Sequence, residues 1–122
     1  MLYTNRKPIK DANNCYDGTG TAVYMGEAVG DGVVGISFYL EGTTIATDAR
    51  IWLNNGGDQN YGKNNRILYV QPLPANTRKK DDSGIFVGGN EGIKVRKGQC
   101  IYVTLQNALA EPVLIAATFD LE

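Results

Sequence analysis

No histidine occurs anywhere in the 122 residues, which removes the usual general base for a serine or cysteine nucleophile and the commonest zinc ligand. Most hydrolytic triads are excluded at once. There are only two cysteines, Cys15 and Cys100. They lie far apart, and neither belongs to a Cys-x-x-Cys pair, so zinc and thioredoxin-like chemistry are disfavoured and free thiols are expected. No apolar run approaches the roughly 20 residues of a membrane-spanning helix. No signal-peptide pattern precedes Leu2-Tyr3-Thr4 and no Asn-x-Ser/Thr acceptor is present, so assembly in a cytoplasm without a membrane partner is expected. An excess of one charge sign is also missing: the net charge is −1, which gives no global reason to expect nucleic acid or an anionic membrane as partner.

What the chain does have is period-two alternation, punctuated by 15 glycines. Ile101, Val103 and Leu105 alternate with Cys100, Tyr102, Thr104 and Gln106. The same parity recurs where Phe38 and Leu40 alternate with Ser37 and Tyr39, and where Ile51 and Leu53 alternate with Arg50, Trp52 and Asn54. Leu68 and Val70 likewise alternate with Ile67, Tyr69 and Gln71, and Val113, Ile115, Ala117 and Phe119 with Leu114, Ala116, Thr118 and Asp120. Such alternation predicts half-buried antiparallel strands. Clusters such as Asp17-Gly18-Thr19-Gly20 and Gly30-Asp31-Gly32 fall between the apolar runs, as turns require.

The expected strands are Thr21–Met25, Val33–Leu40, Thr47–Leu53, Ile67–Leu73, Ile85–Val87, Ile93–Val95, Cys100–Leu105 and Pro112–Phe119. About eight antiparallel strands in a single domain of this length predict an all-β jelly-roll β-sandwich, with an immunoglobulin-like sandwich as runner-up. Residues 1–14 carry only Leu2, Tyr3 and Ile9 as scattered anchors and read as an extended N-terminal arm, with residues 15–122 as the sandwich. Arg6, Lys7 and Lys10 are the only charges in the first ten residues. The arm is therefore basic and suited to contact with an acidic surface.

Candidate chemistry is sparse. Gly57 to Asn64 nearly spells a phosphate-binding loop, but Asn64 stands where Ser or Thr must ligate magnesium, and a strand follows where a helix is needed. Asn54, Asn55, Asp58 and Asn60 offer oxygens to calcium, yet the spacing matches no EF-hand and suits tight turns instead. Asp81 and Asp82 follow Arg78-Lys79-Lys80 in a charge run that reads as a solvated loop, and Glu91 and Glu111 stand alone. No catalytic residue, cofactor or metal is expected. The outward parity is more informative, because Tyr39, Trp52, Tyr69, Tyr102 and Leu114 lie on it. A solvated face is mostly Thr, Ser, Lys and Glu, so these five residues predict a covered second face, with a subunit interface favoured over the N-terminal arm and loops of the same chain.

Three blocks resemble small virion proteins of tailed bacteriophages, the jelly-roll proteins that decorate or cement the head shell or build head fibres. Arg50-Ile51-Trp52-Leu53-Asn54-Asn55-Gly56 is similar to that family's strand and turn, Leu73-Pro74-Ala75-Asn76-Thr77 to its Leu-Pro-Ala-Thr-Thr element, and Gly92 to Leu105 to its Gly turn and following strand. The chain departs from the pattern at Arg96-Lys97-Gly98, which lacks the proline before the glycine, and in its ending, which lacks Trp and Gly-Gly. The resemblance implies a homotrimer seated on an icosahedral capsid, with the major capsid protein as partner and a virion location. A carbohydrate- or receptor-binding module is the alternative, with Tyr61 as its candidate stacking residue.

Overall fold

The chain folds, in a computed structural model, into two antiparallel sheets; the residues described are 1–10, 23–39, 47–54, 65–73, 84–87, 92–109 and 112–122, with backbone alone for 65–69 and 84–87. The strands are β1 (Leu2–Ile9), β2 (Val23–Glu27), β3 (Gly32–Tyr39), β4 (Thr47–Asn54), β5 (Asn65–Leu73), β6 (Gly84–Val87), β7 (Ile93–Val95), β8 (Cys100–Leu105) and β9 (Val113–Leu121). One sheet has five strands in the order β1-β9-β3-β6, with β7 also paired to β3. The other has the order β2-β8-β4-β5. Each of the eight expected strands is present, with no end displaced by more than two residues.

Alternation places the core. Val34, Ile36 and Phe38 of β3 and Val113, Ile115, Ala117, Phe119 and Leu121 of β9 meet Ala49, Ile51 and Leu53 of β4 and Ile101, Val103 and Leu105 of β8 in one buried cluster. Most of these are the inward residues the period-two pattern names, with Val34, Ile36, Ala49 and Leu121 continuing the same parity beyond the residues it named. Burying each large aliphatic side chain contributes about 1.5–3 kcal/mol. The result is an all-β, sandwich-like pair of antiparallel sheets.

Two expectations need correction. Residues 2–9, expected as an arm apart from the body, form β1 and pair with β9 along its whole length, from Leu2 opposite Asp120 to Ile9 opposite Val113. The physical reason lies in Tyr3, Asn5 and Ile9, which share one parity. Ile9 is buried in the core, Tyr3 packs against it, and the Asn5 amide donates to the Met25 carbonyl at 2.8 Å. Polar Asn5 and Lys7 on that parity disguised the alternation. Residues 11–14 of the expected arm lie outside the described residues. In β5, Val70 was expected inside but is 49 % exposed, while Leu73 is buried. The run Ile67-Leu68-Tyr69-Val70 is apolar at every position, so alternation cannot choose a face. Pairing with β4 chooses it, setting Val70 opposite Arg50 and Leu73 opposite Thr47. Leu40, the other expected core residue of β3, lies outside the described residues.

Two glycines are required by contact. Gly26 has φ +132° at the β2 bulge, and a Cβ there would lie 2.6 Å from Asn5 Nδ2 and 3.0 Å from the Phe119 ring. Gly32, paired to both Leu121 and Val95, would put a Cβ 2.2 Å from the Asp120 carbonyl oxygen and 2.8 Å from Leu121 Cα. Although this is the end rung of the β3–β9 ladder, Gly32 is held on both sides, by β9 and by β7, so its backbone has little room to step aside. Gly32→Ala is therefore expected to cost about 2–3 kcal/mol and lower Tm by roughly 10 °C, read by thermal unfolding. An unchanged Tm would mean that the β3–β9 ladder yields at that end.

Candidate functional site

Each sheet has an outer face, and the two differ. On the four-stranded sheet, β8 is buried on both faces: Cys100, Tyr102 and Thr104 are each fully buried, and so are Ile101, Val103 and Leu105 opposite them. Trp52 is 6 % exposed, and its indole Nε1 donates to Thr104 Oγ1 at 2.9 Å. Trp52, Cys100 and Tyr102 form a second apolar cluster with Tyr24 packed against it. The Arg50 guanidinium lies 5.9 Å from the Trp52 ring centroid and the Lys7 ammonium 5.5 Å from that of Tyr24. Cations over desolvated rings are favourable contacts in their own right.

At the β1–β2 seam the polar groups converge. The Tyr3 hydroxyl donates to the Glu27 carbonyl at 2.6 Å, and the Cys100 thiol donates to Glu27 Oε1 at 3.7 Å. Burial pushes the Tyr24 phenol up to about 12, helped by the nearby Cys100 and Glu27, and burial likewise raises Tyr3. Both shifts favour the neutral phenol in the folded chain. The folded state thus gains stability that is fully present below the ordinary tyrosine value near 10 and is lost as pH rises toward about 12. Absorbance titration is expected to show one phenol ionising about two units late and to lose that step in Tyr24→Phe; a titration unchanged by the substitution would assign the late step elsewhere.

The outer face of the five-stranded sheet is the open one. Its register sets Pro8, Leu114 and Tyr39 in one row, Arg6, Ala116 and Ser37 in the next, then Thr4, Thr118 and Gly35, then Leu2, Asp120 and Val33. Leu114 is 40 % exposed and Leu2 69 %, Tyr39 and Val33 are half-buried, and Pro8, Arg6, Gly35 and Asp120 are exposed, whereas the small Ala116 and Ser37 beside Arg6 are buried between their neighbours. Thr4 and Thr118 share a hydrogen bond between their hydroxyls at 2.9 Å.

The residues expected at a subunit interface are therefore separated. Trp52 and Tyr102 are buried within one chain, so they are corrected to core residues of the sheet's second face and leave nothing for a neighbour to cover. Tyr39 and Leu114 are brought together as cross-strand partners. Tyr69 pairs through its backbone with Ile51, and its side chain lies outside the described residues. The basic residues expected to touch a capsid, Arg6, Lys7 and Lys10, are all exposed, and Lys7 is in addition turned toward the Tyr24 ring. Asp120, Pro8, Val33 and Leu2 join this open face unforeseen. Their signal was the outward parity of β1, β3 and β9, hidden in β1 by its reading as an arm.

The near-P-loop at 57–64, the candidate calcium ligands Asn55, Asp58 and Asn60, the carboxylates Asp81, Asp82, Glu91 and Glu111, and Cys15 and Tyr61 all lie outside the described residues. Among the described residues no group of three or more His, Cys, Asp or Glu is placed to hold a metal ion. The chemistry this arrangement offers is that of a contact surface: two apolar rows, a small-residue centre, and one charge of each sign. Compared with family models, curated proteins and solved structures, the chain matches none.

Proposed function

We propose that this protein is a jelly-roll decoration protein of a bacteriophage head, that it forms a homotrimer, and that it binds the major capsid protein from outside the shell and holds neighbouring capsid subunits together. The observation that carries the proposal is the strand order. With β6 and β7 counted as one interrupted strand along β3, the chain crosses from sheet to sheet at every step but β4 to β5 and gives β1-β9-β3-β6 against β2-β8-β4-β5, the order expected of two Greek keys wrapped into a jelly roll. Of the three sequence blocks that resemble virion proteins, Arg50 to Asn54 lies on β4, Leu73 ends β5, and Gly92 to Leu105 spans β7 and β8, while residues 55–56 and 74–77 lie outside the described residues. An exposed sheet face bearing Tyr39, Leu114 and Arg6 supplies a surface for self-association. Trimerisation then multiplies weak shell contacts by raising the effective concentration of each, by roughly 10² or more per added contact when the geometry fits.

Copy number per particle tests this reading, by quantitative mass spectrometry of purified virions against the major capsid protein. A ratio near one to one supports decoration of the whole shell, and a few dozen copies places the protein at a vertex or fibre. Absence from particles, or particles depleted of the protein that remain equally heat-stable, removes the proposal. In solution the expected mass is three times the 13.2 kDa of the chain.

A further inference from the structure

We infer that copies of this chain meet head to tail through the outer face of the five-stranded sheet, the Pro8–Leu114–Tyr39 end of one copy, with its Arg6, seated on the Leu2–Asp120–Val33 end of the next. The inference rests on the self-association proposed above and names the surface that makes it. An open outer face is ordinary for an antiparallel sheet, but such a face is normally polar along its length. Here, across four rows and three strands, only Arg6 and Asp120 are charged. They are of opposite sign and sit toward opposite ends, Arg6 beside the Pro8–Leu114–Tyr39 row and Asp120 between Leu2 and Val33 in the other end row.

That layout decides the kind of contact. The end rows at positions 114 and 120 are roughly 20 Å apart at about 3.3 Å per residue, so no single copy can bring its own two ends together. Stacking like row on like row would set Asp120 of one copy against Asp120 of its neighbour. Seating one end on the other instead brings Arg6 to Asp120 and buries Leu114 against Leu2 and Val33. Made in one direction only, such a contact is heterologous and closes into a ring about a three-fold axis, the case that fits the trimer proposed above; made reciprocally across the whole face it is isologous and closes as a pair about a two-fold axis. The central row of Thr4, Thr118 and Gly35 suits close approach, because its two hydroxyls already bond to each other and a Cβ at Gly35 would meet nothing within 4 Å. Lys94 extends the Leu2–Asp120–Val33 row beyond Val33 on β7, two strands from Asp120, and flanks the contact. Arg6 is thereby assigned to the neighbouring copy and not to the shell.

Charge exchange tests the contact. Arg6→Asp and Asp120→Arg each set like charges together and are expected to weaken assembly by at least about tenfold, whereas the double variant restores the opposite pair and with it assembly. Sedimentation velocity at micromolar concentration reads the state, and near-UV circular dichroism confirms that these exposed substitutions leave the fold intact. Leu114→Ser, which removes apolar area without touching charge, is expected to weaken assembly too. If the full chain assembles and neither the single variants nor Leu114→Ser changes it, this contact is wrong and the trimer stands. A full chain that is monomeric throughout overturns both the trimer and the contact.

Discussion

Removing residues 1–10 is expected to abolish cooperative folding at room temperature. β1 supplies Ile9 to the core at 3 % exposure, stacks Tyr3 on Phe119 with ring centroids 4.9 Å apart, and bonds to two carbonyls of β2 through Tyr3 and Asn5. Burying Ile9 contributes about 2 kcal/mol, each hydrogen bond about 1 and the stacked pair about 1. Together these are comparable with the lower end of the 5–15 kcal/mol roughly typical of a whole domain. The truncation would also bare the full edge of β9, an invitation to pair with other chains. Circular dichroism and urea unfolding of residues 11–122 against the full chain measure this. A truncated chain that unfolds cooperatively at the same urea midpoint would restore the picture of a dispensable arm.

Phe119→Ala is expected to cost about 3–5 kcal/mol, the largest effect of any single substitution considered, with a fall in Tm of roughly 15 °C. Phe119 is fully buried where β1, β2 and β9 meet. Its ring lies 12° from parallel with Tyr3 on one side and beside Gly26 on another. Truncation leaves a cavity bounded by ladder backbone, and the bulge at Gly26 holds β2 in place, so little collapse is available to fill it. A double-mutant cycle with Tyr3→Ala separates the ring pair from the cavity: a coupling of about 1 kcal/mol is expected. Additive losses with no coupling would show that β1 is held by its hydrogen bonds and Ile9 alone. A small loss for Phe119→Ala by itself would mean that the two sheets close over the gap.

Much of the fold was legible because strands with one buried face write their parity directly into the sequence. β8 and β9 show this, where Ile101, Val103 and Leu105, and Val113, Ile115, Ala117 and Phe119, all face the core. β1 escaped notice because an edge strand satisfies its inward polar groups by side-chain bonds to β2, so Asn5 and Lys7 replaced the aliphatic residues that alternation looks for. The candidate surface was half legible. Leu114 and Tyr39 stood out as misplaced apolar residues on an outward parity, yet nothing local showed that pairing of β3 with β9 sets them side by side.

Sequence alone determined the class of the molecule, all-β with antiparallel strands, together with the inward residues of most of them, since periodicity and turn chemistry are local. Only the tertiary structure decided which outer face is open. Trp52 and Tyr102 carry the same parity signal as Tyr39 and Leu114, but the first pair is buried within the chain and the second is left at the surface. Parity states on which side of a strand a residue lies, whereas burial depends on what the rest of the chain lays over that side.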